Sequence, residues 1–356
     1  MTGCSSNAPI ETKIPAESTL TSTLEPTLAP TQTSTQTPSQ TPTLSPTPSK
    51  PIDYIDPQQY SVTYVVTVRN GSFTPTDVRL YLPVPSEWEA QQDLEITKVD
   101  PEMTAREMDQ NNNNEMVYWK FSGTPAAGET QRFTLAFEFT AFETVTNIDP
   151  EKIKPYQQDS PEYIKYTKPE TYVESTDPEI TALASSLTTE EDNPYSLARK
   201  FYDYIIGHVK YKQLGQGLNG AKYLLENGVG ECGDYSALFI ALCRASGIPA
   251  RSVVGYWALS GNEQTHVWAE FYLEDLGWVP VDVTIGQLEK SNKDYYFGNM
   301  DNQRVVLSKG FNSPLLPAAP GNYIAPILQC PLWWYWGSGD ANSFILDRSW
   351  TVRKLN

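Results

Sequence analysis

The chain has 356 residues, 26 Lys and Arg against 43 Asp and Glu, and a formal net charge of −17. That length implies about two domains, and the acidic surplus, with no long Lys/Arg cluster, excludes a nucleic-acid surface, which needs a basic patch. No apolar run approaches the roughly 18 residues of a transmembrane helix, and the cysteines (Cys4, Cys232, Cys243, Cys330) form no CxxC pair, so neither a metal, a cofactor nor a disulfide framework is expected.

In chain order, Met1-Thr2-Gly3-Cys4-Ser5 resembles the lipobox of bacterial lipoproteins, with Met1 where leucine is usual. In that family the cysteine becomes the N-terminal residue and carries the lipid. Residues 5–52 follow as a Thr/Pro/Ser-rich tether (TLAPTQTSTQTPSQTPTLSPTPSK), which has little to bury and stays extended through its prolines. The resemblance implies that residues 1–4 are a lipobox remnant and that the protein sits at the extracellular surface, meeting the membrane only through a lipid on Cys4. The bland alternative is a plain disordered tail.

Residues 53–148 change to period two. YSVTYVVTVRN alternates from Tyr60 to Val68, and VRLYLPVP, MVYWKFSG and ETQRFTLAFEFTAF repeat the style, with DQNNNNE as a polar hairpin tip. Short strands at this spacing predict an antiparallel β-sandwich, and no chemical motif lies in it.

Residues 149–310 change again. Asp177-Pro178 and Asn193-Pro194 each place a capping side chain before a proline suited to a first helical turn. From Pro194, YSLARKFYDYIIGHVKY sets Leu197, Phe201, Tyr204 and Ile205 on one helical stripe, and GAKYLLENGVG is a short helix ending in glycine. Helices followed by an antiparallel sheet make an α+β pattern. Residues 311–356 form an aromatic-rich extension expected to pack on this core; the WWYW run at 333–336 is read as packing rather than as a carbohydrate platform.

Three residues carry chemistry. Cys232 opens a helix in GVGECGDYSALFIALCRASGIPAR, which ends at Gly247 with Pro249 beyond. A thiol at a helix N-terminus has the unpaired N–H groups and the dipole that favour its thiolate, and its own N–H points where an oxyanion would sit. His266 lies in the alternating THVWAEFYL, sharing a face with Trp268, Glu270 and Tyr272. If Tyr272 pairs with Trp278, residues 266 and 284 are opposite and Asp282 of GWVPVDVT lies diagonally across from His266, roughly 7–8 Å away. The imidazole then takes the thiol proton while Asp282 fixes its tautomer. Taken singly, each has a bland reading: a core thiol, a structural histidine, a turn-forming aspartate. Their types, order and hairpin geometry together favour the chemical one.

These residues resemble the transglutaminase-like superfamily, a branch of the papain-like cysteine hydrolases. The resemblance runs through GECGDYSALFIALCRASGIPARSVVGY, THVWAEFYL, GWVPVDVT and YFGNMDNQRVVLS at 296–308, covering about Pro194 to Lys309. It implies a papain-like core of helices on an antiparallel sheet, with Cys232 as nucleophile, His266 as base and Asp282 as orienting acid. Val283 stands where the family usually has proline. Tyr211 and Asn227 lie upstream of the cysteine, but no motif assigns either as the second oxyanion donor.

The expected activity is that of a cell-surface cysteine peptidase or amidase acting on a peptide or protein. The alternatives are a cross-linking transglutaminase using the same three residues and a non-catalytic binding module. Cys243, eleven residues after Cys232 on one helix, is some 16 Å from it and reads as core; a Cys243–Cys330 bridge stays open. His208, late in a helix, reads as exposed or capping.

Overall fold

In the computed structural model, residues 50–190, 193–215, 217–258 and 264–355 are described. Cys4 and all but the last residues of the tether lie outside them. Six strands come first: β1 (Ile52–Asn70), β2 (Phe73–Val84), β3 (Gln91–Asp100), β4 (Ala105–Met108), β5 (Glu115–Phe121) and β6 (Thr130–Thr146). In β1 every second residue from Tyr60 to Val68 is buried, which is the period of a strand with one face on a core. The polar DQNNNNE segment turns β4 into β5, with Asp109 accepting from the N–H groups of Asn111, Asn112 and Asn114.

The C-terminal extension departs from expectation. It forms β15 (Leu332–Gly339) and β16 (Phe344–Lys354), which become edge strands of the sandwich: the two sheets run β16-β1-β6-β3 and β15-β2-β5-β4. LWWYW and FILDRSWTV alternate as strands do, and pairing them on β1 and β2 closes two edges that would otherwise be open. The aromatic run splits by face. Trp333 and Tyr335 pack on Phe344 and Phe73, whereas Trp334 packs edge-on against Tyr81. The sandwich is therefore built from both ends of the described chain.

Between those ends lies the α+β part: α1 (Pro161–Tyr166), α2 (Pro178–Leu187), α3 (Pro194–His208), β7 (Lys210–Tyr211), α4 (Ala221–Asn227), β8 (Val229–Gly230), α5 (Cys232–Ala245), β9 (Ala250–Trp257), β10 (Thr265–Leu273), β11 (Gly277–Val281), α6 (Val283–Leu288), β12 (Arg304–Lys309), and the short pair β13 (Ser313–Pro314) and β14 (Ile324–Ala325). Asp177 and Asn193 cap α2 and α3 as their Pro-led sequences require. On α3 the buried set is Leu197, Ala198, Phe201, Tyr202 and Ile205. Tyr204 is partly buried against the same core and stacks on His208 at 4.1 Å, while Tyr202 goes fully inside and donates to the Lys293 carbonyl at 2.6 Å. α3 packs on both α5 and α6, so its buried arc is wider than one stripe.

Every residue of α5 from Gly233 to Arg244 is buried, so the helix is enclosed on all sides, with its polar residues Asp234, Ser236 and Arg244 hydrogen-bonded. It ends in a Schellman closure: Gly247, at φ +74, donates to Arg244 O and Ile248 donates to Cys243 O. α5 packs on an antiparallel sheet of order β11-β10-β9-β12. Val254, Val267, Ala269 and Phe271 join the helix core, and Tyr256, Val305 and Leu307 join the sandwich core. Tyr256 ties the sheet to the sandwich: its ring stacks on Trp350 at 4.2 Å and its hydroxyl lies 3.2 Å from that of Tyr64. Cys243 is a free, buried thiol, so the Cys243–Cys330 bridge does not form.

Candidate active site

Cys232 is the first residue of α5 and is half-buried. The wholly buried Asp234 fixes this helix start. One carboxylate oxygen accepts from the backbone of Asn219 (2.7 Å) and Gly220 (2.9 Å), the other from Glu231 N–H (3.0 Å). The loop before α4 is thereby tied to the turn that presents the thiol.

His266 sits near the start of β10, directly opposite Gly255. A Cβ on Gly255 would lie 1.8 Å from the Val305 carbonyl, so only glycine lets β12 approach β9 beside the histidine. The β10–β11 ladder pairs Tyr272 with Trp278 and ends at Ala269–Val281. The chain does not continue as a strand through Thr284, as the apolar run WVPVDVTI suggested. It turns at Asp282 into α6, which Asp282 caps by accepting from Ile285 N–H at 3.0 Å. The other carboxylate oxygen accepts from His266 Nε2 at 2.7 Å. Val283 occupies the first helical position, where proline is favoured but any residue with helical φ fits.

The Cys232 thiol lies near enough to the His266 ring to help raise its pKa. With Nε2 engaged by Asp282, Nδ1 is the atom left for the thiol. The structure thus brings all three sequence-derived residues together, whereas His208 is exposed and bonded through Nδ1 to the Tyr204 carbonyl of its own helix.

Other contributors are not visible from sequence periodicity. Arg304 donates from Nη1 to the same Asp282 oxygen at 2.7 Å and pairs with Asp301 through Nη2 at 2.9 Å. Its guanidinium lies 4.3 Å from the Trp257 ring centre and 5.0 Å from that of Trp268. Trp257 stacks on the His266 ring at 5.2 Å. Gln329, from the C-terminal extension, donates to the backbone carbonyls of Gly255 and His266. Arg304 lies inside the FGNMDNQRVVLS block, but only the fold shows which carboxylate it meets.

The electrostatics follow from burial set against these partners. Burial alone would push the His266 imidazolium down; the Asp282 charge and hydrogen bond, with the Cys232 contact, outweigh it and raise the group to about 9. Burial would raise the Asp282 carboxyl, and His266, Arg304 and the Ile285 N–H outweigh it, holding it well below the usual carboxylate range. The imidazole is therefore cationic at neutral pH and stands beside a thiol. Among the described residues, no group of three or more His, Cys, Asp and Glu side chains is arranged to hold a metal ion.

Residues 181–283, from within α2 to the first residue of α6, match the family model for the transglutaminase-like superfamily. That span contains Cys232, His266 and Asp282. The fold is shared with the solved structure of a protein from Cytophaga hutchinsonii named as a candidate cysteine protease, at a TM-score of 0.59 and 18% identity, over 86% of this chain and 93% of that one. An uncharacterised Haemophilus influenzae protein is 28% identical over 255 residues, which are 63% of this chain and 68% of the relative. The uncharacterised Bacillus subtilis protein YebA is 29% identical over 147 residues, 34% of this chain but 20% of YebA.

Proposed function

We propose that the chain is a thiol hydrolase that cleaves peptide amides through a thioester on Cys232, with His266 moving the proton and Asp282 orienting the imidazole. What carries the proposal is the placement of His266: one ring nitrogen is spent on a buried carboxylate and the other faces a half-buried thiol at the start of α5. The Cys232 thiolate adds to the carbonyl carbon. As the tetrahedral intermediate collapses, the C–N bond breaks and the His266 imidazolium protonates the leaving amine. Neutral His266 then takes a proton from water, the resulting hydroxide adds to the thioester, and the C–S bond breaks to give a carboxylic acid and the thiolate. Amide and water become acid and amine, and the catalytic groups return to their starting charges. The proposed substrate is a peptide or protein met outside the cytoplasm, on the strength of the Thr/Pro/Ser-rich tether after Cys4.

The test is casein incubated with the purified chain and analysed by mass spectrometry. Fragments that each gain water are expected from the wild type and absent with Cys232→Ala or His266→Ala. Products that lose ammonia and join a lysine amine would replace hydrolysis by transamidation, and substrate binding without any mass change would leave only a binding module. Intact mass of the N-terminus isolated from its native membrane tests the lipid on Cys4.

A further inference from the structure

Acyl transfer to a thiol passes through an oxyanion that preorganised donors stabilise, and the Cys232 backbone N–H, at the start of α5, is placed to be one of them. β7 and β8 are two residues each and pair in parallel, Lys210 with Val229 and Tyr211 with Gly230; Lys212 N–H then donates to Gly230 O at 2.9 Å. Gly230 is two residues before Cys232, so this ladder sets Tyr211 alongside the segment that delivers the nucleophile. Gln287 holds it from the other side. Its Oε1 accepts from Tyr211 N–H at 3.0 Å and from the Tyr235 hydroxyl at 2.6 Å, and its Nε2 donates to the carbonyls of Ile206 and Val209. Gln287 belongs to α6, so one short helix, capped by Asp282, also anchors the backbone of Tyr211.

The phenol itself is uncommitted. Tyr211 is 37% exposed, its ring lies 6.3 Å from that of Tyr235, and its hydroxyl makes no hydrogen bond with the described residues. Partial burial, followed by the charges of Cys232 and Glu231, pushes it up to about 12. The hydroxyl therefore lies within electrostatic reach of Cys232 and stays protonated as a donor. Asn227, the other polar side chain upstream of the cysteine, is exposed and spends its amide on Tyr223 O at 2.8 Å.

Building on the thiol hydrolase above, we infer that Tyr211 is a catalytic residue whose phenolic O–H donates to the oxyanion together with the Cys232 backbone N–H. When the thiolate adds to the carbonyl carbon, the C=O π pair moves onto oxygen. Tyr211 stabilises that charge without giving up its proton, and the pair returns to re-form the carbonyl as the C–N bond breaks.

Two reactions of the same thiolate separate this role from any other. Acylation by 4-nitrophenyl acetate passes through an oxyanion; alkylation by iodoacetamide displaces iodide at saturated carbon and does not. In the full chain, Tyr211→Phe is expected to slow acylation of Cys232 by about tenfold to a hundredfold, approaching the loss seen when one oxyanion donor is removed, while the alkylation rate and the thermal melt stay as in wild type. Unchanged acylation overturns the assignment. So does an equal loss in both reactions, which would place Tyr211 on the thiolate or on packing. Failure of the underlying hydrolase is a different result: wild type would release nitrophenol no faster than Cys232→Ala.

Discussion

One face of β10 carries two buried charge clusters four residues apart, and they are finished differently. At Glu270, Arg251 donates to one oxygen at 2.8 Å and Lys309 reaches both at 3.2 Å; Arg251 lies over the Trp278 ring at 3.8 Å and Lys309 over Trp88 at 4.2 Å. Anion and cations lock together, and no proton has anywhere to go. At His266, Asp282 is equally saturated, by His266, Arg304 and the Ile285 N–H. The imidazole, however, keeps one nitrogen for a thiol at a helix start. Burying charge is tolerated in both places because each carboxylate has its cations. What sets the His266 cluster apart is that it leaves one titratable contact open.

The largest expected effect breaks the two apart. Asp282→Asn keeps a capping side chain but loses the charge that orients the imidazolium, so turnover per folded molecule should fall by about 10³ to 10⁴, the scale known for a triad acid made neutral, together with a stability loss of about 3–5 kcal/mol because Arg304 and His266 lose their buried partner. Glu270→Gln should cost stability alone: two cations lose their buried partner, at a cost of about 3–5 kcal/mol in denaturant unfolding, and each folded molecule turns over as before. If Glu270→Gln lowered turnover at equal folding, the two clusters would be one site.

Arg304→Met sits between these. It removes a cation shared by Asp282 and Asp301, so both a stability loss of about 3 kcal/mol and a lower kcat are expected, with KM held.

Titration sharpens the contrast. His266 is raised to about 9 from 6.5, so its contribution to stability is complete below about 6.5 and lost as pH climbs through 9. Asp282 and Glu270 are both held below their ordinary values of 3.8 and 4.5, the effect of burial at each being outweighed by its cations, so their contributions are present above those values and lost as pH falls beneath them. Acid should therefore weaken both clusters, whereas alkali should weaken only the His266 cluster, and kcat/KM should fall along a limb near pH 9 as the imidazolium proton leaves. A wild-type and His266→Ala pair melted across this range reads the difference directly.

The smallest effect is the exposed control. Arg69 pairs with Asp347 across β1 and β16, with side chains 57% and 45% exposed. Arg69→Gln should change stability by less than about 1 kcal/mol, which calibrates what burial adds at Glu270.

Local chemistry made much of the site legible before the fold. Cys232 followed from glycines flanking an apolar helical run, and the Tyr272–Trp278 register followed from alternation on either side of the Glu274–Gly277 turn. Past Val281 the same alternation misled, because apolar residues at 283 and 285 suit a strand or a capped helix equally, and the cap won. The α3 stripe named Tyr204, which is only partly buried, and missed Tyr202, since periodicity assumes one neighbour and α3 packs on α2, α5, α6 and β10.

By itself, the sequence determined which thiol, imidazole and carboxylate residues to single out, the helix caps, the β10–β11 register and the strand character of the first half of the sandwich, because each depends on neighbours a few positions apart. Tertiary structure decided the rest. It brought 311–356 back to edge the sandwich, put Arg304 on Asp282, tied Tyr211 through Gln287 to the helix that Asp282 caps, and gave Glu270 and His266 their opposite characters. Those outcomes join residues distant in the chain, and which distant groups meet is settled by packing, about which local pattern is silent.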